Sequence, residues 1–180
     1  FVALFVICVV SGGVLGLVYN ATKDPIAAAE NAKKTEAIKN VLPEFQELKD
    51  MNVKSALEDA ELPFHLAYDK DGNFIGAAVE TFTNKGFSGN ISLMVGILAD
   101  GTVNNISVLQ HAETPGLGSK MSEPSFKDQF NNKHADSFNF NVKKDGGDVD
   151  AITAATISSR AFCDAVNRAI STFENNKGGF

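Results

Sequence analysis

The chain has 180 residues, a net charge of −6 at pH 7 and 44% hydrophobic residues. This length and apolar content are enough for one domain with a buried core and a short attachment. The acidic balance, without a stripe of basic residues, argues against a nucleic-acid-binding protein. The three histidines and two cysteines are scattered, so the sequence contains no metal-ligand cluster.

Residues 1–19 carry no charged side chain. A helix of this length spans roughly 28 Å, close to the hydrocarbon thickness of a bilayer. A cleaved signal peptide is the alternative, but its apolar core is shorter and is followed by a cleavage site with small residues. Because this run is long and ends in Leu-Val-Tyr-Asn, we predict a retained transmembrane anchor over residues 1–20, in contact with the lipid bilayer.

A polar helix is predicted to follow the anchor. Asp24 is a suitable N-cap, and Pro25 is favoured as a first helical residue. The sequence then stays rich in Ala, Glu and Lys until Pro43 ends the pattern. We therefore expect a connecting helix within 21–43, an irregular lead-in over 44–62 and a folded domain over 44–180.

Two β-hairpins are predicted in the domain. Each consists of two apolar runs separated by an Asp-Gly pair, which favours a tight hairpin turn. The four runs are 64–68 and 74–82, then 91–98 and 102–109.

Helical spacing of apolar residues over 157–173 predicts a long last helix, in which Cys163 is a packing residue. A short helix is expected over 125–130, a strand at 138–140 and a frayed tail over 174–180. The predicted fold class is α+β: an antiparallel sheet with packed helices, preceded by one N-terminal transmembrane helix.

The stretch 150–159, Asp-Ala-Ile-Thr-Ala-Ala-Thr-Ile-Ser-Ser, is small and rich in hydroxyl groups. It leads into the last helix, where free backbone N–H groups and the helix dipole favour an anion. A phosphate-binding site is one interpretation. The other is an N-cap formed by Ser158 or Thr153, because Ser and Thr are common at helix starts.

The segment 111–120, His-Ala-Glu-Thr-Pro-Gly-Leu-Gly-Ser-Lys, is predicted to be a loop because Pro-Gly and the second Gly favour tight turns. Leu117 lies between two glycines and is an exposed apolar tip unless something packs on it. The loop is therefore either an ordinary connection or the wall of a pocket.

Three motifs in this chain resemble those of the FMN-binding domain family. They are Gly-Phe-Ser-Gly at 86–89, Glu-Thr-Pro-Gly-Leu-Gly at 113–118 and Asp-x-x-Thr-Ala-Ala-Thr at 150–156. This family includes the G-type subunit of the Rnf electron transport complex (RnfG) and the C-type subunit of the sodium-pumping NADH:quinone oxidoreductase (NqrC). This chain looks more like the former.

One position departs from the family pattern, which usually has Gly where this chain has Ala154. If that glycine provides a positive φ, alanine is strained there. If it only permits close approach, alanine serves nearly as well.

The resemblance implies FMN joined through a phosphoester bond to Thr156 by a separate flavin transferase. It implies further flavin contacts from the motif at 113–118 and from the stretch that begins with the motif at 150–156. It implies no catalytic residue and no metal in this chain. The implied contact residues are Asp150, Thr153, Ala154, Ala155, Ile157 and Ser158 at the helix start, and Glu113, Thr114, Pro115, Gly116, Leu117 and Gly118 in the loop.

The resemblance also implies an electron-transfer subunit of an ion-translocating ferredoxin:NAD oxidoreductase complex, which is not catalytic alone and has the other subunits as partners. Its domain is expected on the periplasmic side of a bacterial inner membrane. Three alternatives remain: an NqrC-like protein of the quinone reductase, a non-redox ligand-binding module tethered to the membrane, and a structural adaptor. The adaptor would pack through Gly12-x-x-x-Gly16.

Overall fold

The computed structural model describes all residues from 1 to 180, which form two compact units, Phe1–Thr35 and Glu36–Phe180. The helices are α1 (Val2–Val41), α2 (Pro124–Lys127) and α3 (Thr156–Asn176). The strands are β1 (Glu47–Lys54), β2 (Glu61–Tyr68), β3 (Phe74–Gly86), β4 (Gly89–Leu98) and β5 (Val103–His111). Short 3-10 turns occur at several of the connections.

The first unit consists of helix α1 up to Thr35. Its N-terminal part is exposed and, by length and composition, is long and apolar enough to cross a membrane. The prediction that a new helix begins at Asp24-Pro25 was wrong, because Pro25 lies inside α1. The alanines after Pro25 have high helix propensity, and the helix continues through the proline.

The second unit is built on a five-stranded antiparallel sheet in the order β1-β2-β3-β4-β5. Both predicted hairpins are confirmed as β2–β3 and β4–β5. The irregular lead-in predicted over 44–62 was wrong, since β1 pairs with β2 along its whole length. This edge strand is polar and buries only Val53, so it lacks the apolar alternation that would reveal a strand.

Helix α3 covers one face of the sheet and forms the main core with it. Its apolar stripe packs against buried strand residues, including Phe64 and Val79. Cys163 is buried in this core, as predicted, and burial raises the pKa of its thiol to about 12. The prediction of a frayed tail was wrong, because the Phe180 ring lies 5.5–5.7 Å from the rings of Phe64, Phe74 and Phe173.

The last turns of α1 cover the opposite face of the sheet. Ala37, Ile38 and Val41 are buried there in a second, smaller apolar cluster. The side-chain amides of Asn104 and Asn105 on β5 donate hydrogen bonds to the carbonyl oxygens of Val41 (2.8 Å) and Asn40 (3.0 Å). Two carbonyl groups that the helix end leaves unsatisfied are thereby bonded.

The connection from β5 to α3 is mostly irregular. The predicted short helix is present as α2 and the 3-10 turn that follows it. The strand predicted at 138–140 was wrong, because its alternating aromatics pack from a non-regular segment. The ring of Phe140 lies 5.1 Å from that of Phe138 and 6.2 Å from that of Phe130.

Candidate functional site

A cavity of about 330 Å³ lies where three distant chain segments meet. The first is the turn between β3 and β4, the second is the loop after β5, and the third is the start of α3. The lining residues are Phe87 from the turn, Glu113, Thr114, Leu117 and Gly118 from the loop, and Ala154, Ala155, Thr156, Ile157 and Ser158 from the helix start. The structure thus brings together the three motifs found in the sequence.

Glu113 connects the three segments. Its side chain is buried, and its two carboxylate oxygens accept hydrogen bonds from different elements. The Ser158 hydroxyl on α3 donates to Oε2 at 2.6 Å, and the Ser88 backbone N–H donates to Oε1 at 3.0 Å. Charge-assisted hydrogen bonds of this kind are stronger than neutral ones, so Glu113 holds the walls of the cavity together.

Two glycines make room for this buried carboxylate. A Cβ atom at Gly118 would lie 2.5 Å from both Glu113 Oε2 and Ser158 Oγ, and one at Gly86 would lie 2.7 Å from Glu113 Oε1. Real Cβ atoms do not approach other atoms so closely. Both positions therefore require glycine because the Glu113 carboxylate approaches the backbone closely, and neither glycine has a positive φ.

The start of α3 has an unusual backbone. Ala154 has a φ of 60°, in the left-handed region that favours glycine. Of the two roles left open for the glycine of the family, positive φ is therefore the one that this backbone requires. The strain at Ala154 lies directly in the cavity wall.

No side chain caps the N terminus of α3, whose N-cap residue is Ala155. The expectation that Ser158 or Thr153 serves as the cap was therefore wrong. Ser158 is bound to Glu113, and the hydroxyl of Ser159 accepts from the N–H of Ile152 and donates to the carbonyl of Ala155. The first N–H groups of α3 remain available to an anion.

Thr156 is the first residue of α3 and lines the cavity. It is half-buried, and its hydroxyl has no hydrogen-bond partner within the protein. The neighbouring hydroxyls of Ser158 and Ser159 are buried and fully engaged. Of the hydroxyl groups at the helix start, that of Thr156 is therefore the one placed for contact with a ligand.

Four of the predicted flavin contacts do not line this cavity: Pro115, Gly116, Asp150 and Thr153. Asp150 and Thr153 line a separate surface cavity of about 270 Å³. Asp150 is held there by Lys143 Nζ at 2.7 Å and by both polar atoms of the Gln129 amide. Asp150 thus holds the segment that leads into α3 and does not line the larger cavity.

Two residues of the β3–β4 turn belong to the site although they were not among the predicted ligand contacts. The Phe87 side chain is 68% exposed beside the cavity, and Ser88 supplies the N–H that Glu113 binds. The Gly-Phe-Ser-Gly motif was the available signal, but a tight turn explains two glycines equally well. Only the three-dimensional contact with Glu113 distinguishes the two roles.

The charge in the lining of the cavity is negative and comes from one side chain. Glu113 is the only charged residue in its lining, which otherwise consists of apolar groups, hydroxyls and backbone. Phe87, Leu117 and Ile157 form an exposed apolar rim. The cavity therefore suits a flat, largely apolar group at its mouth and a weakly charged anion at the helix N terminus.

Comparison with known proteins places this architecture in a family. Residues 86–171 match the FMN-binding domain, and this range includes all three segments of the cavity. The chain is 35% identical to the G-type subunit of the ion-translocating oxidoreductase complex of Methanosarcina acetivorans, over 98% of this chain and 94% of that protein. The chain belongs to the family of these G-type subunits.

Other relatives agree with this assignment, which confirms the family predicted from the motifs. The G-type subunit of Aliivibrio fischeri is also 35% identical, over 93% of this chain and 85% of that protein. The crystal structure of the C-type subunit of the Na⁺-translocating NADH-quinone reductase from Parabacteroides distasonis is similar with a TM-score of 0.57. It is 20% identical and covers 78% of this chain and 80% of that chain, so it confirms the α+β fold alone.

Proposed function

We propose that this member of the G-type family relays electrons through an FMN group attached covalently to Thr156. The observation that carries the proposal is the position of the Thr156 hydroxyl, which lines the cavity at the uncapped N terminus of α3. The relay belongs to an ion-translocating ferredoxin:NAD oxidoreductase complex, and the other subunits of that complex are the electron donors and acceptors. FMN supplies the redox chemistry, while the protein binds, orients and tunes it.

The residues present fit the phosphate of FMN. A phosphoester bond to Thr156 would place the phosphate beside the free N–H groups of the first turn of α3. Both the N–H groups and the helix dipole favour an anion at that position. Because a threonine hydroxyl is a weak nucleophile and that of Thr156 is hydrogen-bonded to no base, attachment by a separate flavin transferase accounts for the bond.

The electrostatics of the cavity support a covalent tether over reversible binding. Free FMN is a phosphate monoester with a charge of about −1.5 to −2 at neutral pH. No lysine or arginine lines the cavity, and the one charged group is a carboxylate. Esterification lowers the phosphate charge to about −1, so the diester suits this site better than the free dianion. The non-redox binding module is therefore the weaker candidate.

The rim of the cavity supports a position for the flavin ring. Phe87, Leu117 and Ile157 are each at least 41% exposed, and together they offer apolar surface beside the Thr156 hydroxyl. Covering this surface with an aromatic ring stabilises the bound state through the hydrophobic effect. A ring at the rim stays close to the surface, where a partner protein can exchange electrons with it.

The N-terminal helix supports a membrane setting for the relay. We propose that the apolar part of α1 spans the inner membrane and that the domain lies on its extracytoplasmic side. The length and composition of the helix and the absence of charge over residues 1–19 support the membrane span, whereas the side of the domain is taken from the family resemblance alone. A covalent bond would also prevent loss of the cofactor from a domain outside the cytoplasm.

The intact mass of the full chain, purified from membranes of a host that expresses the transferase, tests the attachment. We expect the mass of the chain plus FMN less one water. Thr156→Ala should have the unmodified mass and no flavin fluorescence in a denaturing gel.

Thr153→Ala is the matched control, because it removes an exposed hydroxyl of the same stretch outside the cavity. It should retain the modification. An unmodified wild-type chain, or full modification of Thr156→Ala, would contradict the proposal.

A further inference from the structure

We propose that Glu113 is a positioning residue whose negative charge keeps the reduction potential of the flavin low. This inference rests on the proposed function, since it concerns the group held in the cavity. It assigns a task to a carboxylate that is buried without a cation.

The first observation is the burial of Glu113. The residue is 5% exposed, although it is ionisable and lies at the edge of an open cavity. Burying a charge is costly unless the charge is hydrogen-bonded or paired. Both carboxylate oxygens accept a hydrogen bond, from Ser158 Oγ and from the N–H of Ser88, as an acceptor-only carboxylate does.

The second observation is the absence of a counter-charge. The ion pairs of the domain involve other carboxylates, such as Asp164 with Lys85 and Glu58 with Arg168. The hydrogen bond between Glu113 and His111 involves the backbone of Glu113 and not its carboxylate: the Glu113 N–H donates to His111 Nδ1 at 3.2 Å. The carboxylate charge is thus stabilised by hydrogen bonds alone.

The third observation is the packing, which confines the carboxylate on two sides. Gly86 and Gly118 each leave only enough room for it, and a Cβ atom at either position would collide with one of its oxygens. The charge is therefore fixed in the cavity wall at the level of Ser158, one half-turn along α3 from the Thr156 hydroxyl.

A fixed negative charge next to a flavin opposes the addition of electrons. Water screens the interaction with a buried charge less than it screens the interaction between two exposed charges. Glutamine has nearly the same size and keeps an oxygen that accepts one hydrogen bond, but it has no charge. Exchanging Glu113 for glutamine therefore isolates the effect of the charge on the flavin.

The test measures the midpoint potential of the flavin in the full-length, flavin-loaded protein in detergent, by reductive titration against a reference dye. Glu113→Gln should shift the potential upward. Glu123→Gln removes an exposed carboxylate outside the cavity and should leave the potential unchanged.

Ser158→Ala separates the charge from the shape of the site. It breaks the 2.6 Å hydrogen bond to Glu113 but keeps the carboxylate. If the charge sets the potential, this variant should not shift it upward. Upward shifts of equal size in Ser158→Ala and Glu113→Gln would show that only the geometry matters and would overturn the inference.

The remaining outcomes are also decisive. If Glu113→Gln does not fold or carries no flavin, Glu113→Asp keeps the charge: a potential within error of the wild type supports the inference, and a raised potential overturns it. A wild-type chain without flavin defeats the proposed function instead, whereas flavin-loaded wild type and Glu113→Gln with equal potentials defeat only the role of Glu113.

Discussion

Ala154 is the residue at which local strain and function meet. Its φ of 60° places a side chain in a backbone region that costs an L-residue about 1–2 kcal/mol. Backbone strain of this kind clusters at ligand sites, where the surrounding structure holds it in place. Here Ala154 lies in the cavity wall, two residues before the first residue of α3.

Replacing Ala154 with glycine should stabilise the domain. Relief of the strain outweighs the greater freedom of glycine in the unfolded chain, so we expect the free energy of unfolding to rise by about 0.5–1 kcal/mol. Circular dichroism during urea denaturation of the full chain in detergent measures the change. Ala155 has a φ of −134° and provides the control, since Ala155→Gly should lower the stability. A lower stability for Ala154→Gly would contradict the strain.

At the scale of elements, the contact between the end of α1 and β4 depends on one glycine. An added Cβ at Gly96 would run into the backbone carbonyl of Val41. That carbonyl also accepts the hydrogen bond from Asn104, so it is held in place from the other side. Neither the helix end nor the strand can easily move away.

We therefore expect Gly96→Ala to destabilise the domain by about 2 kcal/mol or more, the range for overpacking a tight contact. For a domain of this size the melting temperature should fall by at least about 4 °C. Thermal unfolding followed by circular dichroism provides the measurement. Gly178 has no atom within 4 Å of its added Cβ, so Gly178→Ala should have little effect. Equal melting temperatures of Gly96→Ala and the wild type would refute the close packing.

The elements that sequence analysis predicted have strong local signals. The Asp-Gly pairs marked both hairpins, and the apolar spacing after Ile157 marked α3. Strand β1 was missed because it pairs through its backbone while seven of its eight side chains stay at least partly exposed. The strand at 138–140 was predicted wrongly because alternation also arises when rings pack from an irregular segment.

The candidate site was predictable only in part. Two motifs pointed to it through the family resemblance, yet Glu113 and Ser158 are 45 residues apart and no local pattern links them. The missing cap at α3 could not be predicted either, because Ser158 and Thr153 have suitable side chains. Their actual positions depend on the tertiary fold, which directs Ser158 toward Glu113 and leaves Thr153 exposed.

At the scale of the whole molecule, ion pairs between carboxylates and basic side chains join the layers. The Arg168 guanidinium is buried and holds the pKa of Glu58 below its usual range. Arg160 likewise lowers the pKa of Asp145. Burial raises the pKa of Asp164, but hydrogen bonds from Lys85 and Thr83 outweigh it, and the pKa is lowered overall. These pairs connect α3 to β3, to the β1–β2 loop and to the 3-10 turn Lys143–Asp145.

The domain should therefore lose stability in acid. A carboxylate with a lowered pKa stabilises the folded state above its unfolded value, about 4, and this contribution is lost as the pH falls through the folded value. We expect the free energy of unfolding to decrease as the pH is lowered from about 5 to 3, measured by urea denaturation at each pH. Asp145→Asn should flatten this dependence, whereas an unchanged slope would exclude Asp145 as a contributor.

The strand order also has a consequence for how the domain folds. Each strand pairs with the next one in the chain, so the sheet can grow hairpin by hairpin with little loop-closure entropy. Helix α3 comes last and contributes Thr156 and Ser158, which complete the cavity. The cavity therefore exists only after the final helix has docked, and a chain arrested at the sheet would lack the proposed attachment site in its finished form.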